Sequence, residues 1–409
     1  IVIKLDSGYN IGIEFDENTK IKKLKEERKI PEKPAVKKQK IKFDPSKPTI
    51  AILNAGGTIA SRVDYRTGAV TPVFTAEDFY EMFPELSNYA NIHTRFVFQM
   101  FSEDVEPEHW IILAKEVAKE IDEGCDGVII THGTDTLAYT SAALAFMLQD
   151  LPIPVLLTGA QRSSDRGSSD AAMNLVCAAN FIANSDFSGV AICMHASPND
   201  DFCNILPPCK TRKAHTSRRD AFRPINDFPI AKVNFGTGHV EFLKKDYLKK
   251  DLKRELKLQN HFDNKVALIK ITPGSSFLPK LLDMLQKENY HGIILEGTGL
   301  GHAPINVLDD HTKKHKELLN KIKQLTDSGI AIFMASQCNY GRPNLNVYST
   351  GRDLQKAGVA PAYMLAETAY VKLGWILGNT RNLEEIRKKM EENIAGEIID
   401  RTEVGAFLL

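Results

Sequence analysis

The stretch Ile50-Ala51-Ile52-Leu53-Asn54-Ala55-Gly56-Gly57-Thr58 decides the fold class of this chain. Four consecutive apolar residues are typical of a strand buried on both faces, and the glycine pair after them indicates a tight turn. Comparable apolar runs, interpreted as further buried strands, occur at residues 96–98, 128–130, 155–157 and 190–192, and later at 266–269, 293–295 and 330–333.

Amphipathic helical patterns lie between these runs. Trp110, Leu113, Val117 and Ile121 fall on one face of a helix, and another helical pattern follows Ser169. Alternation of buried strands with helices predicts a largely parallel α/β sheet. Charge-dense sequence interrupts the alternation before residue 266, so we expect a second, smaller α/β domain beyond it.

The first residues follow a different pattern, because apolar residues alternate on both sides of Asp6-Ser7-Gly8. This pattern predicts a β-hairpin, and since a lone hairpin is marginally stable, we expect it to end a small β-domain that begins before Ile1. The predicted fold class is α/β, with two parallel-sheet α/β domains preceded by a small β-domain fragment. The predicted boundaries are the β-domain fragment at 1–19, a charged linker at 20–47, a large α/β domain with the catalytic loops at 48–243, a linker at 244–265, and a smaller C-terminal α/β domain at 266–409.

The composition excludes several classes of function. The formal net charge is zero, so no global attraction to nucleic acid or to a membrane follows. The most apolar stretch, residues 141–160, contains Gln149, Asp150 and two prolines, which predicts a helix end and a short strand instead of a membrane span. We find no signal peptide, so a cytoplasmic location is expected.

The six cysteines lack a paired spacing, which indicates reduced thiols and not a disulfide framework. Cys203, Cys209 and His215 come nearest to a set of metal ligands, but they include no C-x-x-C pair. The sequence therefore predicts no metal site.

Polar loops follow several of the predicted strands. The carboxyl ends of parallel strands meet at one edge of a sheet, where catalytic groups collect and helix N-termini point their free N–H groups. This rule selects the loops at residues 54–58, 101–104, 131–136 and 158–161.

The first of these loops places the hydroxyl of Thr58 directly after Gly56-Gly57. It has neither the lysine of a P-loop nor the third glycine of a dinucleotide fingerprint, which disfavours nucleotide binding. Glycine lets the backbone approach a ligand closely, whereas a threonine in this position can also be a simple helix cap. The loop alone leaves both interpretations open.

The third loop presents a second hydroxyl, Thr134, beside the carboxylate of Asp135, with Gly133 before them. Two hydroxyls facing one cavity indicate acyl chemistry. A threonine is a poor nucleophile without a base, so a lysine held by a carboxylate, or a tyrosinate, is needed. His132 is the alternative base, although a histidine inside such a turn more often has a structural role.

These motifs carry a resemblance to a known family. Residues 54–60 and 132–136 closely resemble the two signatures of the bacterial-type L-asparaginases, and collinear likeness continues close to the C-terminus. The other matching stretches are residues 102–104, 213–215, 220–222, 336–338 and 348–351.

Within this family, the hairpin, the linker, and residues 161–166 and 215–220 resemble the branch that serves as the amidase subunit of archaeal Glu-tRNA(Gln) amidotransferases. The resemblance implies two asparaginase-type α/β domains and a homodimer whose active sites are completed across the interface. It also implies a tRNA-binding partner, the E subunit of such enzymes, that uses ATP and Mg²⁺, with no cofactor on this chain and no membrane partner.

The resemblance further implies roles for individual residues. Thr58 is the expected nucleophile and Tyr65 its activating neighbour, while Asp135 holds Lys213 so that the lysine polarises Thr134. Which threonine attacks first stays open at this point. Backbone N–H groups near the two threonines are expected to form the oxyanion hole.

The expected substrate-binding residues are Ser102, Glu103, Gly133 and Ala160. Ser102 and Glu103, with Asp135, grip the α-carboxylate and α-amino groups, and the Ala160 carbonyl holds the leaving amide nitrogen. The alternative for the serine and glutamate is a helix cap before Pro107.

The hypothesis is therefore a glutaminase that supplies ammonia to convert Glu-tRNA(Gln) to Gln-tRNA(Gln), with glutamine as substrate and asparagine as the other amide in question. One alternative is a free-standing cytosolic L-asparaginase, and another is a non-enzymatic module that retains the fold. Three further residues are left outside the predicted site. His302 either reaches the active site of a neighbouring subunit or orders its own loop. Arg218 and Arg219 either contact the tRNA-binding partner or form a surface ion-pair cluster, and the cluster is favoured.

Overall fold

The computed structural model describes the chain with several gaps before residue 75, the longest at 21–42, and with short gaps at 164–165 and at the last two residues. The described residues are 2–4, 10–12, 16, 19–20, 43–57, 59, 61–63, 70–72, 75–163 and 166–407. The N-terminal hairpin is confirmed by the antiparallel pair β1 (Val2–Lys4) and β2 (Asn10–Gly12). Most of the predicted linker at 20–47 lies outside the described residues, as does a large part of the segment between residues 58 and 74.

A large mixed sheet is built from residues 49–242. Among the described residues, it contains eight strands in the order β15-β14-β11-β10-β9-β7-β3-β6. The elements of this part are β3 (Thr49–Asn54), β4 (Ser61–Val63), β5 (Val70–Pro72), α1 (Ala76–Met82), β6 (Asn91–Phe96), α2 (Pro107–Asp122), β7 (Gly127–Thr131), α3 (Leu137–Met147), β8 (Leu148–Gln149), β9 (Pro154–Thr158), α4 (Ala171–Asn184), β10 (Gly189–His195), β11 (Phe202–Leu206), β12 (Thr211–Lys213), β13 (Phe222–Pro224), β14 (Ala231–Asn234) and β15 (Val240–Phe242).

Strands β6, β3, β7, β9 and β10 are parallel, as the alternation of strands and helices predicts. Strands β11, β14 and β15 then extend the sheet in antiparallel fashion beyond β10. The strand predicted at residues 96–98 was wrong in position, because β6 begins at Asn91 and ends at Phe96. This strand lies at the edge of the sheet and is only partly buried, so it lacks the continuous apolar run of its neighbours.

Both faces of the parallel part are covered. Ile50 and Ile52 point to the face covered by α1 and α4, whereas Ala51 and Leu53 point to the face covered by α2 and α3. Each of these four strand residues is fully buried. Burial on both faces explains why this strand is apolar throughout, since successive side chains of a strand point to opposite faces.

The second sheet is smaller and parallel throughout, with the strand order β17-β18-β19-β20. The predicted second linker also contributes a short strand, β16, which pairs with β8. The elements of this part are β16 (Lys257–Leu258), β17 (Val266–Lys270), α5 (Leu278–Lys287), β18 (Gly292–Gly297), α6 (His315–Asp327), β19 (Ala331–Ser336), α7 (Ser349–Lys356), β20 (Ala360–Pro361), α8 (Ala366–Leu377) and α9 (Leu383–Glu391).

Helix α8 joins the two sheets into one apolar core. It packs against α3 of the large part and against β17 and β18 of the small one. The rings of Phe146 and Trp375 stack at 5.7 Å between centroids, and the Phe262 ring meets Trp110 edge-on at 5.3 Å. Aromatic contacts of this kind add to the free energy gained from apolar burial. The two α/β units are thus held together by their core and not only by the chain between them.

Candidate active site

The carboxyl ends of β6, β3, β7 and β9 lie side by side at one edge of the large sheet. The loops that follow them enclose a cavity of about 270 Å³. The four loops selected from sequence therefore converge on one site, joined by a lysine from a later hairpin. The residues that line the cavity are Gly57, Phe101, Ser102, Glu103, Gly133, Thr134, Asp135, Ala160, Gln161, Lys213 and Thr216.

Two of the predicted catalytic residues, Thr58 and Tyr65, lie outside the described residues. Gly57, directly before Thr58, lines the cavity, and Ile59, directly after it, is fully buried. The roles of Thr58 as nucleophile and of Tyr65 as its activating neighbour stay predictions.

The glycine pair of the first loop is required by its contacts. Gly56 and Gly57 have φ angles of 94° and 79°, in the left-handed region that side chains disfavour. A Cβ atom at Gly57 would lie 2.7 Å from the carbonyl carbon of His132. The first loop therefore packs backbone to backbone against the third loop.

Thr134, Asp135 and Lys213 form a connected set of side chains at the cavity. Lys213 Nζ donates hydrogen bonds to Thr134 Oγ1 at 2.8 Å and to Asp135 Oδ1 at 2.7 Å. Lys213 ends β12, which pairs with β13 in a two-stranded hairpin. The carboxylate thus holds the lysine against the hydroxyl, an arrangement suited to polarising that hydroxyl for acyl chemistry.

Ser102 links the second loop to the third. Its hydroxyl accepts a hydrogen bond from the Asp135 N–H at 3.1 Å, and its carbonyl accepts one from Thr136 Oγ1 at 2.6 Å. A hydroxyl that accepts one hydrogen bond keeps its proton free to donate to an anion. Ser102 is buried and Glu103 is exposed at the cavity. Neither residue caps α2, because the N-cap of that helix is Glu106.

His132 is fully buried beneath the third loop and does not line the cavity. Trp110 Nε1 donates to Thr140 Oγ1 at 3.0 Å, which leaves the Thr140 proton for His132 Nε2, also at 3.0 Å. The other ring nitrogen, Nδ1, then carries the proton and donates to the Gly133 carbonyl at 2.7 Å. Burial lowers the pKa of His132 to about 4, so the ring is neutral at pH 7 and supports the loop.

Asp170 fixes the fourth loop and was missed from sequence. This buried carboxylate accepts hydrogen bonds from the backbone N–H groups of Gln161 at 3.0 Å and Arg162 at 2.9 Å. Asn174, one turn into α4, donates to the Gly159 carbonyl at 2.9 Å. Ala160 is thereby held at the cavity wall. An aspartate before an apolar helix is a sequence signal for an N-cap, but the bond to an earlier loop is not local.

A salt bridge joins the hairpin that carries Lys213 to helix α8, which packs on the second sheet. The sequence analysis did not predict this salt bridge. Arg212 Nε and Nη2 both contact the Glu367 carboxylate at 2.6 Å. Glu367 is buried in the first turn of α8. Because a bidentate arginine fork constrains both partners, α8 restrains the strand that carries the catalytic lysine candidate.

The residues left outside the predicted site have partners of their own. Arg218 pairs in bidentate fashion with the buried Asp220, at 2.8 Å for both contacts, and lowers the pKa of that carboxyl. Arg219 pairs with Asp200. His302 Nδ1 lies 3.3 Å from Thr350 Oγ1, in the second α/β unit.

One group of side chains has the ligand types of a metal site, formed by His93, Glu120 and Glu123. Arg95 pairs with both carboxylates, and His93 lies 3.3 Å from Glu120. A guanidinium between the carboxylates supplies the charge that a cation would bring, so the group is explained as an ion-pair cluster.

Three family models match the chain along its length. They are "Asparaginase, N-terminal" over residues 49–247, "Glutaminase/Asparaginase C-terminal domain" over residues 265–390, and "GatD N-terminal domain" over residues 1–24.

Curated relatives match the whole chain. The D subunit of the glutamyl-tRNA(Gln) amidotransferase of Pyrococcus furiosus is 51% identical over 412 residues, covering 100% of this chain and 90% of the relative. The D subunit from Pyrococcus abyssi is 49% identical, covering 100% and 89%. This chain belongs to the family of glutamyl-tRNA(Gln) amidotransferase D subunits. The resemblance inferred from the motifs is confirmed.

The asparaginase fold of this family member is confirmed by a solved structure. The thermostable L-asparaginase from Thermococcus kodakarensis superposes with a TM-score of 0.74 and 35% identity, covering 86% of this chain and 99% of that chain. As a family member the chain has the scaffold of an amide-hydrolysing enzyme. Within its described residues, no helix is long and apolar enough to cross a membrane.

Proposed function

We propose that this chain is the amide-hydrolysing subunit of a tRNA-dependent amidotransferase and supplies ammonia that converts Glu-tRNA(Gln) to Gln-tRNA(Gln). The observation that carries the proposal is the match of D-subunit relatives over 100% of the chain, including the N-terminal stretch that precedes the asparaginase-like part. The cavity supplies the chemistry, because hydroxyl, lysine and carboxylate groups meet there within hydrogen-bond distance.

The proposed reaction is acyl transfer through a threonine. The Thr58 oxygen attacks the carboxamide carbon of glutamine, while Tyr65, as a tyrosinate, accepts the hydroxyl proton and then passes it to the amide nitrogen. The C–N bond breaks as the nitrogen is protonated and leaves as ammonia, and water then hydrolyses the acyl-threonine to glutamate. Backbone N–H groups around the two threonines stabilise the oxyanion. Thr134, with Lys213 and Asp135, assists proton transfer at the same carbon.

The remaining cavity residues orient the substrate in this proposal. Glu103 and the exposed carboxylate of Asp135 attract the α-ammonium group of glutamine, while the free proton of the Ser102 hydroxyl suits the α-carboxylate. Gly133 lets Ser102 pack against the third loop, since a Cβ atom at Gly133 would lie 2.7 Å from Ser102 Cβ, and so keeps the serine hydroxyl at the cavity. The Ala160 carbonyl accepts from the leaving amide nitrogen.

The active complex in this proposal contains more than one chain. Two copies of this chain form a homodimer, and each copy binds a partner, the E subunit, giving a heterotetramer in the cytoplasm. The partner binds Glu-tRNA(Gln) and uses ATP and Mg²⁺, so this chain needs no cofactor. Glutamine hydrolysis on this chain and amidation of Glu-tRNA(Gln) on the partner then take place on different subunits. The two reactions must be coupled so that ammonia is released only when the partner can use it.

The alternative is a free-standing L-asparaginase, which the fold supports equally well. The full-length match to amidotransferase subunits favours the tRNA-dependent function. A non-enzymatic module is disfavoured by the intact set of Thr134, Asp135 and Lys213. The preferred amide and the dependence of activity on the partner distinguish the amidotransferase subunit from the free-standing asparaginase. Release of ammonia would exclude the non-enzymatic module.

We expect the chain to hydrolyse glutamine poorly alone and about tenfold or more faster with its partner and Glu-tRNA(Gln). An amidase that serves another site wastes glutamine whenever it acts alone. A tenfold increase requires only about 1.4 kcal/mol of preferential binding to the active conformation, which a subunit interface readily provides. The measurement is steady-state ammonia release from glutamine and from asparagine.

Three mixtures are compared: the chain alone, the chain with its partner, and both with ATP and Glu-tRNA(Gln). Uncharged tRNA(Gln) is the matched control for the charged tRNA. Equal turnover of glutamine in all three mixtures, with faster hydrolysis of asparagine, would favour the free-standing asparaginase.

A further inference from the structure

The turn between β12 and β13 directly follows Lys213, and the mechanism so far gives this turn no role. Thr216, in the turn, lines the cavity together with Lys213. All five residues from 214 to 218 are exposed, so burial in an apolar core does not determine the conformation of this part of the cavity wall. The turn therefore depends on its own hydrogen bonds for its shape.

His215 makes the hydrogen bonds that shape the middle of this turn. Its Nδ1 atom accepts one from the backbone N–H of Ser217 at 3.0 Å and one from that of Arg218 at 3.1 Å. A backbone N–H can only donate, so Nδ1 is unprotonated and the ring carries its proton on Nε2. Among the residues that the structure describes, residues 215–217 make no hydrogen bond besides these two.

The two ends of the turn are fixed by other contacts. The Ala214 N–H donates to the Ala221 carbonyl at 2.7 Å, where the chain returns to β13. Arg218 is held by its ion pair with the buried Asp220 at 2.8 Å. The histidine ring thus determines the conformation of the residues between these ends.

Building on the proposed function, we propose that His215 is a positioning residue for amide hydrolysis, because its Nδ1 atom holds the turn in the conformation that places Thr216 at the cavity wall. Lys213 does not depend on this contact, since Thr134 and Asp135 hold its ammonium group. Loss of the Nδ1 acceptor therefore leaves the chemical step intact and lowers the fraction of molecules whose cavity is formed before the substrate binds. A lower fraction raises the apparent dissociation constant in proportion.

The test compares His215→Asn with His215→Leu in the complete complex, because the two new side chains have nearly the same shape. Asparagine carries Oδ1 on Cγ, the atom that carries Nδ1 in histidine, and its Oδ1 commonly accepts backbone N–H groups in turns. Leucine has no acceptor. We expect KM for glutamine to rise about tenfold in His215→Leu, with kcat within about twofold, and KM in His215→Asn to stay within about threefold of the unaltered chain.

Hydrogen exchange of the peptide that contains residues 214–218 reports on the turn itself. We expect faster exchange in His215→Leu and unchanged exchange in His215→Asn, whereas the Tm of both variants stays equal to that of the unaltered chain because residue 215 is exposed. His239→Leu is the control, since His239 is also exposed, lies in the turn between β14 and β15, and does not line the cavity. This control is expected to leave KM unchanged.

Three results would overturn the proposal. An unchanged KM in His215→Leu would show that the turn does not need the ring. An equal rise of KM in both variants would show that the Nδ1 acceptor is not what matters. A lower kcat with a lower Tm and an unchanged KM would indicate loss of folded protein instead of a displaced cavity wall.

Lys213→Met, measured in the same complete mixture with partner, ATP and Glu-tRNA(Gln), separates this inference from the proposed function. If Lys213→Met loses activity while His215→Leu keeps its KM, only the role of His215 is wrong. If Lys213→Met keeps full activity, the proposed site itself is wrong, and the inference about His215 falls with it.

Discussion

Lys213→Met is expected to lower the rate of glutamine hydrolysis by at least about a hundredfold while the fold stays intact, because it removes the group that polarises Thr134. Lys213 Nζ is 2.8 Å from Thr134 Oγ1 and 2.7 Å from Asp135 Oδ1. Methionine retains the length of the side chain but has no proton to donate. Thr134→Val, which removes the hydroxyl at nearly constant volume, is expected to give a loss of the same order.

The measurement is ammonia release by the complete complex, with thermal unfolding to verify the fold. Lys232→Met is the control, since Lys232 lies on β14 of the large sheet and does not line the cavity. Thr58→Ala is expected to lower the rate of glutamine hydrolysis as much as Lys213→Met does. Retention of most activity by Thr58→Ala with an unchanged Tm would show that Thr58 is not the nucleophile.

Lys372→Met is expected to destabilise the protein by about 3–5 kcal/mol, because it leaves the Glu397 carboxylate buried without its counter-charge. Both side chains of this ion pair are fully buried, and Lys372 Nζ lies 2.5 Å from Glu397 Oε1. Burial lowers the pKa of Lys372, and the glutamate opposes that shift. Lys372 also donates to the Met390 carbonyl at 3.2 Å, so the pair anchors the segment that follows α9.

The double variant Lys372→Met, Glu397→Gln is expected to recover much of this loss. A neutral glutamine can still accept hydrogen bonds from the Ile394 and Ala395 N–H groups, which now contact Glu397 at 3.1 and 2.7 Å. The control Lys356→Met removes an exposed ion pair with Asp353 and is expected to change stability by less than about 1 kcal/mol. Unfolding in urea provides the free energies. A double variant as unstable as Lys372→Met would contradict the electrostatic explanation.

The sequence predicts the parallel part of the fold well, because a strand that is buried on both faces consists of an uninterrupted run of apolar residues. Ile50 to Leu53 are apolar without interruption since helices cover both sides. The edge strand β6 has no such apolar run, because its positions are only partly buried and accept polar residues such as His93 and Arg95. Its prediction was therefore misplaced toward the apolar residues that follow it.

The site is predictable where its residues follow strands, and not where distant segments meet. Strand ends alone place Thr134 and Asp135 in one region. Lys213 is 79 positions from Thr134, on a hairpin beyond the parallel strands, so only its family resemblance identified it. The bonds of Arg212 to Glu367, 155 positions away, and of Asp170 to the fourth loop depend on tertiary packing, which periodicity does not encode.

The proposed function depends above all on delivery of ammonia from glutamine, through this chain, to Glu-tRNA(Gln) bound by its partner. To follow that nitrogen, glutamine labelled with ¹⁵N in its amide group is supplied to the complete complex with ATP and Glu-tRNA(Gln). The glutamine released from the tRNA by mild base is then analysed by mass spectrometry. Unlabelled ammonium chloride, added to a complex with Lys213→Met, tests the partner independently of the amidase.

We predict ¹⁵N in the tRNA-linked glutamine, its loss with Lys213→Met, and recovery of unlabelled Gln-tRNA(Gln) by that variant when ammonium is supplied. Labelled Gln-tRNA(Gln) formed at an unchanged rate by the Lys213→Met complex would contradict the proposed site. Free labelled ammonia without any labelled Gln-tRNA(Gln), in a mixture that uses added ammonium efficiently, would contradict the role of this chain as the ammonia donor.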